Sequence, residues 1–253
     1  MTRIVAAPYL NSKPLTFGLD VLHAPPAECA RRLAEGEADV ALVPLASVAR
    51  AGDWEIAPGL CVAARDRVES VLLLADCAAD EIETVALDAS SRTSAILVRL
   101  LLGRRRWEVR PPAELEAAIG GRRAALVIGD AAMAAAPRAT AIDLAAWWRE
   151  RTGLPFVFAV WAARPGILDR EVYEILHASR RAGSAVLDAI AADYTWNGRT
   201  YPEIALPYLR EAMRYRLGVP EVAAIERFLA AAGSPATLNL YGGGREIRRE
   251  QLT

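Results

Sequence analysis

Apolar and polar positions alternate along the first third of the chain in a strand–helix rhythm. Residues 3–7 read as a short buried strand stopped by Pro8. Tyr9-Leu10-Asn11-Ser12-Lys13-Pro14-Leu15 reads as a turn into a helix, with Asn11 or Ser12 in the capping position and Pro14 tolerated in the first turn. Residues 25–36 carry Cys29 and Leu33 on one face at helical spacing, and 38–43 form an apolar strand run ending at Pro44. The resulting β-α-β-α-β series marks a parallel sheet with helices on its faces. In such sheets ligands sit at the carboxyl ends of strands, which places Asn11 and Ser47 on the ligand edge.

The same logic extends through the middle of the chain. Residues 68–75 predict a strand with Ser70 near its start, and 85–87 another, followed by a helix over 95–102 that Gly103 ends. Strands are predicted at 107–109, 124–128 and 141–144, a short helix from Gly129-Asp130, and a helix over 145–151 closed by Thr152-Gly153. Residues 154–163 form a long apolar strand. Beyond Gly166 the spacing is helical over 168–192, 201–217 and 220–232, without further strand signal. The tail from Gly233, with Gly242-Gly243-Gly244, reads as irregular. The fold class expected is α/β with two lobes: 1–78 and 163–253 in one, 79–162 in the other, with a ligand cleft between them.

Composition narrows the function. The chain has 253 residues, 53% hydrophobic and 24% charged, with a formal net charge of −1, so it lacks the basic field that nucleic acid requires. Three cysteines without CxxC spacing read as small apolar residues in a reducing compartment. His23 and His177 are the only histidines, which excludes a multi-histidine metal site. No phosphate loop or dinucleotide fingerprint occurs, so cofactor-free chemistry is expected. No run approaches the roughly 18 apolar residues of a membrane span, and the amino terminus enters a strand without a signal-like apolar region. The expected compartment is the cytoplasm, with no membrane or nucleic-acid partner.

Candidate chemistry centres on Asp88-Ala89-Ser90-Ser91-Arg92-Thr93-Ser94, between the strand at 85–87 and the helix at 95–102. A strand-to-helix turn points free backbone N–H groups outward at the positive end of the helix dipole, a ready site for a carboxylate or phosphate. The alternative is that Ser90 or Ser91 merely caps the helix. Asp130 reads as a cap rather than as a catalytic acid, and Arg92 as a residue that supports the turn or closes over the cleft edge.

Several of these stretches resemble the chorismate dehydratases of the futalosine route to menaquinone. The resemblance covers roughly residues 3–232. It rests on Tyr9-Leu10-Asn11-Ser12-Lys13-Pro14-Leu15, Asp39-Val40-Ala41-Leu42-Val43-Pro44, Ser70-Val71-Leu72-Leu73, Ser91-Arg92-Thr93-Ser94 and Ile128-Gly129-Asp130-Ala131-Ala132. It continues through the long run from Trp148 to Trp161. The resemblance implies a two-lobed periplasmic-binding-protein-like fold and loss of water from chorismate. It also implies catalytic roles for Asn11 and Ser70, and substrate contacts from Ser91, Thr93, Ser94, Gly129, Asp130, Thr152 and Leu154. A sister dihydroxynaphthoate synthase shares the fold but relies on a cleft histidine, and neither His23 nor His177 lies in a cleft motif. A solute-binding protein without chemistry is the other competing class. The partner expected is a small molecule, and the sequence leaves the oligomeric state open.

Overall fold

Residues 3–7 condense into β1 (Ile4–Ala6), a wholly buried strand in the computed structural model, which describes residues 2–135, 138–234 and 238–242. A 3₁₀ turn at Leu10–Ser12 leads into α1 (Lys13–Thr16), where Pro14 sits in the first turn as expected. β2 (Val21–His23), α2 (Pro26–Ala34) and β3 (Val40–Pro44) complete the predicted series, with β1 parallel to both neighbours. α3 (Leu45–Ala51) follows directly, and then β4 (Glu55–Ala64), which has no counterpart among the predicted elements.

A second sheet begins with β5 (Val71–Ala75). It continues through β6 (Thr84–Asp88), α4 (Arg92–Leu102), β7 (Arg106–Arg110), β8 (Arg123–Ile128), α5 (Asp130–Met133) and β9 (Thr140–Asp143). Its order is β7-β6-β8-β5-β9, parallel across β7, β6 and β8 and antiparallel at β5 and β9. α6 (Leu144–Thr152) then returns the chain to β10 (Phe156–Ala163), which lies antiparallel between β3 and β4 in the first sheet. Each sheet therefore has three parallel strands beside a strand that has crossed over from the other part of the chain.

The sheets divide the chain at places other than the expected boundaries of 78 and 162. Residues 71–75 pair in the second sheet, not the first, and 156–163 pair in the first, not the second. Both runs are continuously apolar, so periodicity fits either sheet; antiparallel pairing to β8, or to β3 and β4, decides membership.

The remaining chain is α7 (Arg170–Ala185), α8 (Leu187–Asp193), a hairpin of β11 (Thr195–Trp196) and β12 (Arg199–Thr200), and α9 (Pro202–Pro207). A π-helical turn at Tyr208–Ala212, β13 (Met213–Arg214), α10 (Val219–Ala231) and β14 (Asn239–Leu240) follow. The expectation of no strand after Gly166 is corrected: β13 and β14 both pair with β4. Strands of two residues carry no periodicity of their own, and β4 supplies the pairing. The irregular tail expected from Gly233 is interrupted by β14, and its residues 243–253 lie outside the described residues.

α6 is anchored against the first sheet's body. Trp148 meets Phe156 and Phe228 edge-on, at ring separations of 5.4 and 6.3 Å, and its indole N–H donates to the Pro155 carbonyl at 3.0 Å. Among the described residues no helix is long and apolar enough to cross a membrane.

Candidate active site

The carboxyl ends of the two parallel trios converge on one cavity. Ala7 after β1 and Pro44 at the end of β3 line one side, and Ser91 after β6 and Gly129 after β8 the other. Asn11, Ser70, Ser91, Thr93, Ser94 and Gly129, all named by sequence, meet there, together with Tyr9, Ser12 and Arg92. Leu42, Val62, Val71, Ile128 and Phe158 provide apolar walls that suit a carbocyclic ring. Arg92 is the one charged side chain among the described residues lining the cavity.

Thr152, Leu154 and Asp130 are not brought to this cavity. The Thr152 hydroxyl donates to the Trp148 carbonyl at 2.9 Å and accepts from the Leu154 N–H at 3.1 Å, so this pair closes the end of α6.

Ser70 sits one residue before β5, in a turn held from two directions. Glu69 adopts φ of 61°, a left-handed conformation unusual for a side chain of its kind. The Asp143 carboxylate holds this turn, accepting the N–H groups of Val68 and Glu69 at 3.0 and 2.7 Å while also capping α6 through Ala145 and Ala146. The Ser70 carbonyl accepts the Gly129 N–H at 2.8 Å. Its hydroxyl lies 2.8 Å from the hydroxyl of Tyr208, which also accepts the Asn11 side-chain amide at 3.0 Å. Asn11 is therefore not the helix cap that its position allowed; its side chain points to a residue 197 positions away. Sequence reasoning missed both Asp143 and Tyr208. An Asp immediately before a helical run is visible as a cap, whereas a Tyr in an apolar helical stretch reads as core.

At the start of α4, Ser91 occupies the N-cap position without a side-chain capping bond. The Asp88 carboxylate instead accepts the N–H and hydroxyl of Ser90 at 2.7 and 2.6 Å, and burial raises its pKa. The simple capping reading of Ser90 and Ser91 is thus replaced by an Asp88–Ser90 turn, with Ser91 left at the cavity. Burial, aided by Asp88, pushes the pKa of the Tyr9 phenol up to about 12. Gly129 gives Tyr9 its place: a Cβ there would lie 3.0 Å from the Tyr9 ring, and its φ of 66° also favours glycine.

Two bonds cross the cavity rim: the Ala46 N–H donates to the Thr93 hydroxyl at 3.1 Å, and the Arg92 guanidinium donates to the Ser47 hydroxyl at 3.3 Å. Both join the start of α3 to the start of α4. A third connection lies behind the cavity, where the buried Asp130 carboxylate accepts the Leu10 N–H at 3.2 Å and the Tyr194 hydroxyl. Asp130 caps nothing; it clasps the second sheet to the turn that carries Asn11.

Removing that carboxylate by Asp130→Ala strands two buried donors and should cost about 1–3 kcal/mol in chemical denaturation. Burial raises the Asp130 pKa against the opposing bonds from Tyr194 and Leu10. Its contribution to stability is therefore full below the ordinary carboxyl range and falls as pH rises through the raised folded value. Asp130→Asn, which keeps an acceptor, should accordingly gain on the parent as pH rises across that window; a stability difference independent of pH would contradict this.

Comparison with known proteins gives the chain its relatives. Residues 2–234 match the family described as menaquinone biosynthesis. The chain belongs to that family. A chorismate dehydratase of Thermus thermophilus is 33% identical to it over 92% of this chain and 96% of that protein. Among solved structures, a protein of Archaeoglobus fulgidus superposes with a TM-score of 0.71 at 15% identity, covering 92% of this chain and 96% of the other. A Candida albicans protein described as having the generic periplasmic-binding-protein fold superposes with a TM-score of 0.62 at 11% identity, covering 98% of each chain. The α/β fold is thus the periplasmic-binding-protein-like one expected from sequence.

Proposed function

We propose that the protein is a chorismate dehydratase, removing water from chorismate to give 3-[(1-carboxyvinyl)oxy]benzoate. The observation that carries the reading is the cavity itself: apolar walls, neutral hydroxyl and amide donors, one arginine and no acidic side chain among its described lining residues. That is an environment for a carbocyclic dianion. The Thermus thermophilus relative bears the same activity in its name.

The reaction makes specific demands. The ring proton to be lost is on the carbon bearing the enolpyruvyl ether, vinylogous to the ring carboxylate, so donors on that carboxylate stabilise the charge that develops. Ser91, Thr93 and Ser94, with the N–H groups opening α4, supply such donors. A helix terminus contributes about 0.3–1 kcal/mol per charge when exposed and up to about 2 when partly buried, so the hydroxyls matter as well. Asn11 and Ser70 line the same cavity, Asn11 orienting the substrate and Ser70 bonding a carboxylate or the departing hydroxyl. The substrate's own enolpyruvyl carboxylate takes the proton, and aromatisation drives expulsion of the neighbouring hydroxyl. The overall step loses one proton and one hydroxide as water, with no change in net charge or redox state.

Arg92 complements one of the two carboxylates. Arg92→Gln keeps a donor but removes the charge, and should raise KM for chorismate about tenfold with a smaller change in kcat. Steady-state kinetics on the purified protein, with chromatographic identification of the product, tests both the activity and this division. Tight binding of chorismate without product would leave a solute-binding role instead.

A further inference from the structure

The geometry points to Tyr208 as a positioning residue that fixes the direction of a hydrogen-bond relay, Asn11 to Tyr208 to Ser70, so that Ser70 meets the substrate as a donor. Tyr208 is fully buried at the start of the π-helical turn, a local irregularity of the kind that recurs at functional sites. Among the described residues its hydroxyl has two hydrogen-bond partners, the Asn11 amide nitrogen at 3.0 Å and the Ser70 hydroxyl at 2.8 Å. The amide nitrogen can only donate, so the phenol oxygen accepts from it and keeps its own proton for Ser70. The Ser12 hydroxyl donates to the Asn11 amide oxygen at 3.3 Å, so the two ends of the amide have different partners.

With its oxygen engaged by Tyr208, Ser70 turns its own proton toward the cavity that it lines. Burial raises the phenol pKa, which keeps the relay proton on Tyr208 at neutral pH. Ser70 is thereby suited to bonding a carboxylate or the departing hydroxyl, and unsuited to removing the ring proton. This chemical consequence rests on the dehydratase reading; the relay itself does not.

Tyr208→Phe keeps the ring and removes the relay. It should leave cooperative unfolding in place, lower kcat about tenfold with KM within about threefold, and move the Asn11 side-chain amide resonance, identified by its absence in Asn11→Asp. A purely structural Tyr208 would lower the melting temperature and leave kcat of the folded protein unchanged, which would overturn the proposal, as would an unmoved Asn11 amide. If the parent protein forms no product from chorismate, the dehydratase reading fails, and the amide resonance still decides the relay. If Tyr208→Phe does not fold, the parent decides it. A slowly exchanging Tyr208 hydroxyl proton with cross-relaxation to the Ser70 β-protons supports the relay, and absence of that contact overturns it.

Discussion

Asn11→Asp is expected to lower kcat/KM for chorismate by about three orders of magnitude without unfolding the protein. The substitution keeps size and shape but exchanges a donor for an acceptor, so the Tyr208 hydroxyl no longer receives the bond at 3.0 Å. It also places a carboxylate in a cavity whose one charged described side chain is Arg92. Two like charges about 4 Å apart at an effective dielectric constant of about 20 repel by about 4 kcal/mol, close to a thousandfold. Two opposing effects act on the introduced carboxyl: a bond from the Tyr208 hydroxyl would favour its charged form, and the substrate's charge its neutral form. The second is larger in the complex, so activity should partly recover as pH falls. Steady-state rates across pH 5–8 check the sign, and a loss that does not ease on acidification would show that geometry rather than charge is responsible.

A large effect on stability is also expected at Gly183→Ala. A methyl group in a helix interior ordinarily gains about 0.5–1 kcal/mol over glycine. Here it would press into the Pro14 carbonyl oxygen and lie 2.7 Å from the Pro14 Cα, both backbone atoms that cannot rotate aside. α7 must separate from α1, and overpacking of this kind costs about 1–3 kcal/mol or more. For a chain of this size a net loss of about 2 kcal/mol lowers the melting temperature by about 4–8 °C. The displacement also reaches the site. The Ser179 hydroxyl ties α7 to the Leu15 and Phe17 carbonyls at 3.0 and 2.9 Å, and α1 follows directly on the turn bearing Asn11. Turnover should therefore fall together with stability. A stabilised, fully active Gly183→Ala protein would mean that the two helices do not meet as closely as described.

The parts of the fold and site that the sequence discloses are those governed by local pattern. The series β1, α2, β3 and the turn before α4 follow from strand runs, capping residues and prolines within a few positions of one another. β4 does not, because Pro58-Gly59 falls inside it and punctuates the run like a turn, although most of its residues are buried. Its partner β10 accommodates it through register shifts that no single-strand periodicity could announce. The same limit governs the site. Ser91, Thr93 and Ser94 stand at a helix start and declare themselves, whereas Tyr208 acquires its meaning only from residues 138 and 197 positions away. Asp130 and Thr152 show the same limit from the other side: each stands in a run that resembles the family, and the contacts that set one to clasp two parts of the chain together and the other to close a helix are visible only in the fold.

Chorismate carrying deuterium on the ring carbon that bears the enolpyruvyl ether gives the most direct test of the central claim. Incubated with the purified protein, it should be converted to 3-[(1-carboxyvinyl)oxy]benzoate with complete loss of that deuterium, and Asn11→Asp should slow the conversion without abolishing binding of 3-hydroxybenzoate. Recovery of unchanged labelled chorismate from protein that binds it tightly, or a product that retains the label, would contradict the account.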